Sequence, residues 1–322
     1  MFSVLNKEKI EKFNNIYLTK YAFIINYAIN IYRDKLREIK NTVIQQNIKL
    51  ERKNYSLEDM LLICFRFYDS LGINLYQDLK EVLENENTKV IMSEPSINNR
   101  GKENSCNDGL GQIVLNPTND LAGLLAVVHE LCHAISQRMK ENKRAIDLTI
   151  GEVESLFIEK VFICYLYENK IISHKEYVDL FVCMNNTLVR QIDYCFQRND
   201  ILNMVGFLPL TKESEKELEQ IIAHERNRDV LFERLKQMGR GEYEYKERYV
   251  IGGIVSTVLY DRYLNDREGV LKTFKKYMSQ NAELNYRQML EMLLGMDTDK
   301  TIEQFLEIKT LEREVIEGRE SE

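Results

Sequence analysis

Only three prolines and 14 glycines punctuate the 322 residues of this chain, so few positions force a helix to stop. The stretches between them are rich in Leu, Ile, Glu, Lys and Arg, and all of these but the β-branched Ile lose little freedom on entering a helix. A mainly helical fold is therefore expected. Apolar residues make up 44% of the chain and charged residues 30%, which separates it from disordered sequences and leaves enough material for a full core. No fixed-period repeat, low-complexity segment or Pro/Gly/Ser linker marks a cut, so residues 1–322 are read as a single unit.

The formal charge is -7, and no segment gathers Lys and Arg densely enough to neutralise a run of phosphates. Nucleic acid is not an expected partner. The longest clean apolar run, Leu121 to Val128, is far shorter than a membrane span of roughly 20 residues. The opening MFSVLNKEKIEKFNNIY has no apolar stretch followed by a small-residue cleavage site. A cytoplasmic protein without a membrane partner is expected, with signal-less export as the alternative. Six scattered cysteines form no CxxC pair and read as buried free thiols.

Helical periodicity is expected from Val4 to about Leu50, then over Ser56–Ser70 and about Asn74–Glu84. The chain then changes character: Val90–Met92 and Gln112–Leu115 are short β-prone runs separated by a polar, Gly-bearing loop, which reads as a small sheet. After Pro117, either Thr118 or Asn119 can cap a helix running to about Lys140. Further helices are expected at about 147–169, 174–197, 212–237, 246–266, 268–279 and 283–294, followed by an acidic tail.

The helix after Pro117 contains VVHELCHAI, an HExxH pattern. Residues four apart stand one turn apart on one face, so His129 and His133 can offer imidazole nitrogens to one metal ion, zinc being the usual choice. Glu130 lies about 100° round the axis from His129, near that face yet off it. It can reach a water at the metal without taking a coordination position, as a general base must.

A catalytic zinc needs a third protein ligand and an open position. The extended HExxHxxGxxH form is absent, because Ser136 and Met139 stand where its Gly and His would be. The next helix offers TIGEVESLFIEKVF, in which Glu152, Ser155 and Glu159 share a face while Glu154 points elsewhere. Glu152 is the expected ligand, although an acidic residue in a first turn also suits the helix dipole. Glu159 is expected either to accept a hydrogen bond from a ligating imidazole or to serve as an ordinary ion-pair partner. His174 and His224 read as capping or surface histidines, and Cys132 as core.

The segments GQIVLNPTNDLAGLLAVVHELCHAIS and IGEVESLFIEK, with a weaker third piece in GRGEYEYKERYVIGGIVS, resemble the oligoendopeptidase F and thimet oligopeptidase group of zinc peptidases, which belong to the gluzincins. The resemblance covers about residues 100–265. It implies a helix-rich, zincin-like fold with a deep channel, zinc held by His129, His133 and Glu152, Glu130 as catalytic acid/base, and Tyr249 donating to the transition-state oxyanion. Cys132 departs from the family's usual Gly. From the residues alone, Tyr249 is either that donor or a packing aromatic, and Tyr243 and Tyr245 in the preceding loop are reserve candidates for touching substrate.

On this reading, residues 1–99 form an N-terminal helical part, 100–266 the zinc-binding core and 267–322 C-terminal helices. The expected activity is hydrolysis of peptide bonds, with an extended peptide or protein substrate lying along Gln112 and Val114 and adding a strand to that edge. Two other readings remain open: a zinc protease effector cleaving one target protein, and a catalytically silent binding protein on the same scaffold.

Overall fold

A computed structural model of the protein describes residues 32–48, 50, 53–84, 89–94, 105–107, 112–139, 152–206, 244–280, 284 and 286–319. It is mainly helical, with one small sheet, as the scarcity of helix breakers implies. The described helices are α1 (Arg33–Thr42), α2 (Leu57–Ser70), α3 (Leu75–Glu84), α4 (Leu121–Met139), α5 (Val153–Glu168), α6 (His174–Gly206), α7 (Glu244–Asn265), α8 (Arg267–Met278), α9 (Tyr286–Leu294) and α10 (Thr298–Arg319). The strands are β1 (Lys89–Met92), β2 (Ser105–Asn107) and β3 (Gln112–Leu115).

The chain divides into two compact units, Met1–Asn41 with Leu188–Val250, and Thr42–Thr187 with Ile251–Glu322. In the first, Lys40 of α1 pairs with Asp193 of α6, and the Arg33 guanidinium lies 5.1 Å from the centre of the Phe196 ring. The second unit contains the HExxH helix and the sheet.

Helix α4 is apolar on nearly every side. Leu121, Leu124, Leu125, Val127, Val128, Leu131, Cys132 and Ile135 are all buried, the pattern of a helix enclosed by others rather than laid on a surface. Its start is fixed by Asp120, not by the expected Thr118 or Asn119: the Asp120 carboxylate accepts from the Gly123 backbone N–H at 3.0 Å and from the Thr118 hydroxyl at 2.6 Å. A Cβ on Gly123 would stand 1.8 Å from the Thr118 carbonyl oxygen, so this turn can fold onto the helix only over a glycine.

Helix α5 packs along α4 and is the second buried rod. Its Phe162 meets Phe67 of α2 edge-on at 4.8 Å, and its Phe157 meets Phe274 of α8 at 4.7 Å. The described helix begins at Val153, with Glu152 in its cap position; the expected start near Asp147 lies outside the described residues. Helix α6 runs nine residues past the expected end at 197, to Gly206, and the helix expected over 212–237 also lies outside the described residues.

The sheet has the order β1-β3-β2. β3 pairs in parallel with β1 (Val90 opposite Ile113) and antiparallel with β2 (Cys106 opposite Ile113). Strand β2 was not expected, because Ser-Cys-Asn carries no alternation; it exists through its pairing with β3. β2 and β3 lie against α4. Placing β3 in the middle corrects one expectation: both of its edges are already paired, so a substrate cannot add a strand at Gln112–Leu115. No helix among the described residues is long and apolar enough to cross a membrane.

Candidate metal centre

The less buried positions of α4 are Ala122, Ala126, Glu130, His133 and Gln137, with Arg138 and Met139 at its last turn. The first five recur at helical spacing and form the one partly open stripe of an otherwise enclosed helix. Two positions of that stripe, next to Glu130 and His133 on the same face, are alanines. The sequence held this signal, since stepping back by four from Glu130 meets alanine twice, but it passes for ordinary helix composition.

His129 stands beside that stripe and is buried. Its Nε2 lies 3.1 Å from His133 Nε2 and 3.1 Å from Glu152 Oε2, and His133 Nε2 lies 3.5 Å from the same oxygen. Three donor atoms from two helices thus form a nearly equilateral triangle. A tetrahedral zinc with bonds of about 2.0–2.1 Å requires donors about 3.3 Å apart along each edge, and the three observed spacings bracket that value. His129, His133 and Glu152 could therefore hold one metal ion.

The surrounding groups suit the same purpose. His129 Nδ1 hydrogen-bonds Glu159 Oε1. If Nδ1–H donates to that carboxylate, Nε2 carries a lone pair, and it then faces a carboxylate oxygen and a second imidazole nitrogen, an arrangement that is repulsive unless protons or a cation lie between them. The Ser155 hydroxyl, fully buried, donates to Glu152 Oε2 at 3.4 Å and to the Glu152 backbone carbonyl at 3.3 Å.

Without a metal, protons fill that role. Burial alone would pull the His129 imidazole down, but its hydrogen bonds to Glu152 and Glu159 outweigh burial and hold it well above the usual imidazole range. Burial would likewise raise the Glu152 carboxyl, yet the hydrogen bonds from His129 and His133 hold it far below the usual carboxylate range. Glu130 behaves differently: burial pushes its carboxyl up, and the neighbouring imidazoles only partly oppose this. Glu130 thus places a carboxyl of raised proton affinity beside the donor triangle.

The structure thus gathers His129, Glu130, His133, Glu152 and Glu159 in one unit. Glu154 takes no part in the donor triangle but is also buried. Tyr249 is half-buried on the first turns of α7, within the segment Leu188–Val250 of the other unit. Tyr245, expected in a loop, is instead the second residue of α7; Tyr243 and His224 lie outside the described residues. Gln112 is described by its backbone alone, and Val114 is half-buried on β3. His174 opens α6 and packs edge-on against Tyr167 at 5.7 Å.

No protein-family model and no curated protein matches the sequence. Among solved structures, the fold is similar to that of a candidate oligoendopeptidase F from Bacillus anthracis strain Ames, with a TM-score of 0.53 and 10% sequence identity. The likeness is one of fold. It takes in 96% of this chain and 56% of the other, so the chain spans little more than half the length of the protein it matches.

Proposed function

We propose that this chain is a zinc-dependent peptidase acting on short peptides, with His129, His133 and Glu152 as metal ligands and Glu130 as general base. The donor triangle carries this reading: two imidazole nitrogens and one carboxylate oxygen at tetrahedral spacing, in a helical fold shared with a candidate oligopeptidase. An N₂O set of this kind suits zinc.

Zinc, when bound, supplies Lewis acidity toward water and toward the scissile carbonyl. The chain's own residues do the rest. Glu159, hydrogen-bonded to His129 Nδ1, fixes the tautomer that presents Nε2. Glu130 takes a proton from the attacking water and returns it to the leaving amine, and the raised carboxyl makes it a stronger base than an exposed glutamate. Ala122 and Ala126 share the less buried stripe of α4 with Glu130 and His133. With β3 paired on both sides, the extended substrate lies instead along the outer edge of β2, the strand at the end of the sheet that packs against α4.

Metal analysis and peptide-library digestion of wild type and Glu130→Gln test the reading. Zinc retained in both, with hydrolysis reduced on the order of 10²–10⁴-fold in the variant, is the expected result. Equal cleavage by the variant, or a wild type that takes up no metal, would overturn it.

A further inference from the structure

Glu152 has one local support on its own helix, the Ser155 hydroxyl that donates to its Oε2 at 3.4 Å. It stands in the cap position of α5, with φ -96° and ψ -6°, and its side chain makes no capping hydrogen bond. What fixes it from behind is α7. Gly252, buried in that helix, faces the first turn of α5 so closely that a Cβ there would lie 3.1 Å from both the carbonyl carbon and the Cβ of Glu152, and 2.8 Å from Leu156 Cδ1. A turn further on, the Lys160 ammonium donates to the Ser256 hydroxyl at 3.0 Å, so α7 touches α5 again just past Glu159.

From this contact we infer that Gly252 is a positioning residue for the metal centre: its missing side chain sets how far the Glu152 carboxylate reaches toward His129 and His133. This rests on the metal-binding reading above. Carbon atoms settle at about 3.5–4.0 Å, so a methyl group at 252 must push the Glu152 backbone back by roughly 0.5 Å. The Leu156 side chain can swing away; a carbonyl carbon cannot. Metal–ligand distances tolerate only about 0.2 Å, so the triangle opens before the fold fails. Alanine is also the better helix former, and intrinsic propensity at 252 favours the variant.

The test compares wild type, Leu156→Ala, Gly252→Ala and Leu156→Ala/Gly252→Ala as full chains. Zinc affinity is read by competition with a chromophoric chelator, coordination by the visible spectrum of the cobalt(II)-loaded protein, and stability by urea unfolding of the metal-free protein. Gly252→Ala is expected to bind zinc at least about tenfold more weakly, the scale of other changes just outside a metal's ligands, and to alter the cobalt spectrum while keeping the unfolding midpoint. The double variant is expected to stay weak, because removing Leu156 does not relieve the contact with the Glu152 backbone. Zinc binding by Gly252→Ala within twofold of wild type would overturn the inference, as would recovery in the double variant, which would place the conflict at Leu156. Loss of folding in both alanine-252 chains would also overturn it, making Gly252 a packing residue of the whole unit. A wild type that binds no zinc is a different failure, that of the metal reading itself.

Discussion

Lys160 is buried on α5 next to Glu159, and its replacement by methionine isolates a stability contribution whose size and pH window the structure defines. Burial, assisted by the Lys309 ammonium, pulls the Lys160 amine down from 10.5 to about 7, with Glu159 and Glu312 opposing. The side chain is 4% exposed, so solvent screening does not discount the effect. At 1.36 kcal/mol per pH unit, the interval corresponds to roughly 4–5 kcal/mol. The folded chain binds this proton less readily than the unfolded chain, so the cost is full below about pH 7, shrinks as pH rises towards 10.5 and vanishes above it. Lys160→Met removes the titrating group at similar length, and Ser256 keeps its hydrogen bond to the Gly253 carbonyl. Urea unfolding of the metal-free protein is expected to show the variant more stable by about 4 kcal/mol at pH 6–7, less whatever the lost hydrogen bond to Ser256 contributes. That advantage should disappear by pH 10.5. A difference independent of pH, or a variant less stable at pH 6, would refute the assignment of a depressed, buried amine.

Other perturbations bear on the metal centre directly. Glu159→Ala removes the partner of His129 Nδ1 and is expected to weaken zinc binding about 10- to 100-fold in chelator competition; an unchanged affinity would mean the contact does not orient the ring. Because the metal-free His129 imidazole is held above 6.5, protons compete for its Nε2 beyond that pH, and zinc affinity is expected to climb steadily between pH 6 and 8; a flat profile would contradict this. Asp120→Ala deletes the cap of α4 and is expected to cost about 1 kcal/mol of stability in denaturant unfolding, with no loss if Thr118 or Asn119 takes over the cap.

Much of the fold could be read from local patterns because those patterns are local in cause. Leu57–Ser70, Leu75–Glu84 and Arg267–Met278 emerge within a residue or two of expectation, each from an apolar face at helical spacing. The two histidines and Glu130 could be read for the same reason, since a four-residue interval on a helix fixes their relation without any knowledge of the rest. Glu152 and Glu159 followed from a shared face on the next helix. What escaped depends on contacts far apart in sequence. Ser105–Asn107 becomes a strand only because β3 offers it an edge, and that same pairing displaced the expected substrate edge. Asp120 outcompetes Thr118 and Asn119 as the cap through the precise placement of Gly123. The approach of Gly252 to Glu152 spans 100 residues and leaves no trace in either segment alone.

Helix α5 carries Glu152 at its head and Glu159 two turns later, so the oxygen that completes the donor triangle and the one that steers the His129 ring ride on one rod. Sliding that rod along its axis by even a fraction of its 1.5 Å rise per residue would misplace both at once. The placement of the two glutamates is thereby linked: whatever seats this helix against its neighbours sets the positions of both carboxylates beside His129 in one step.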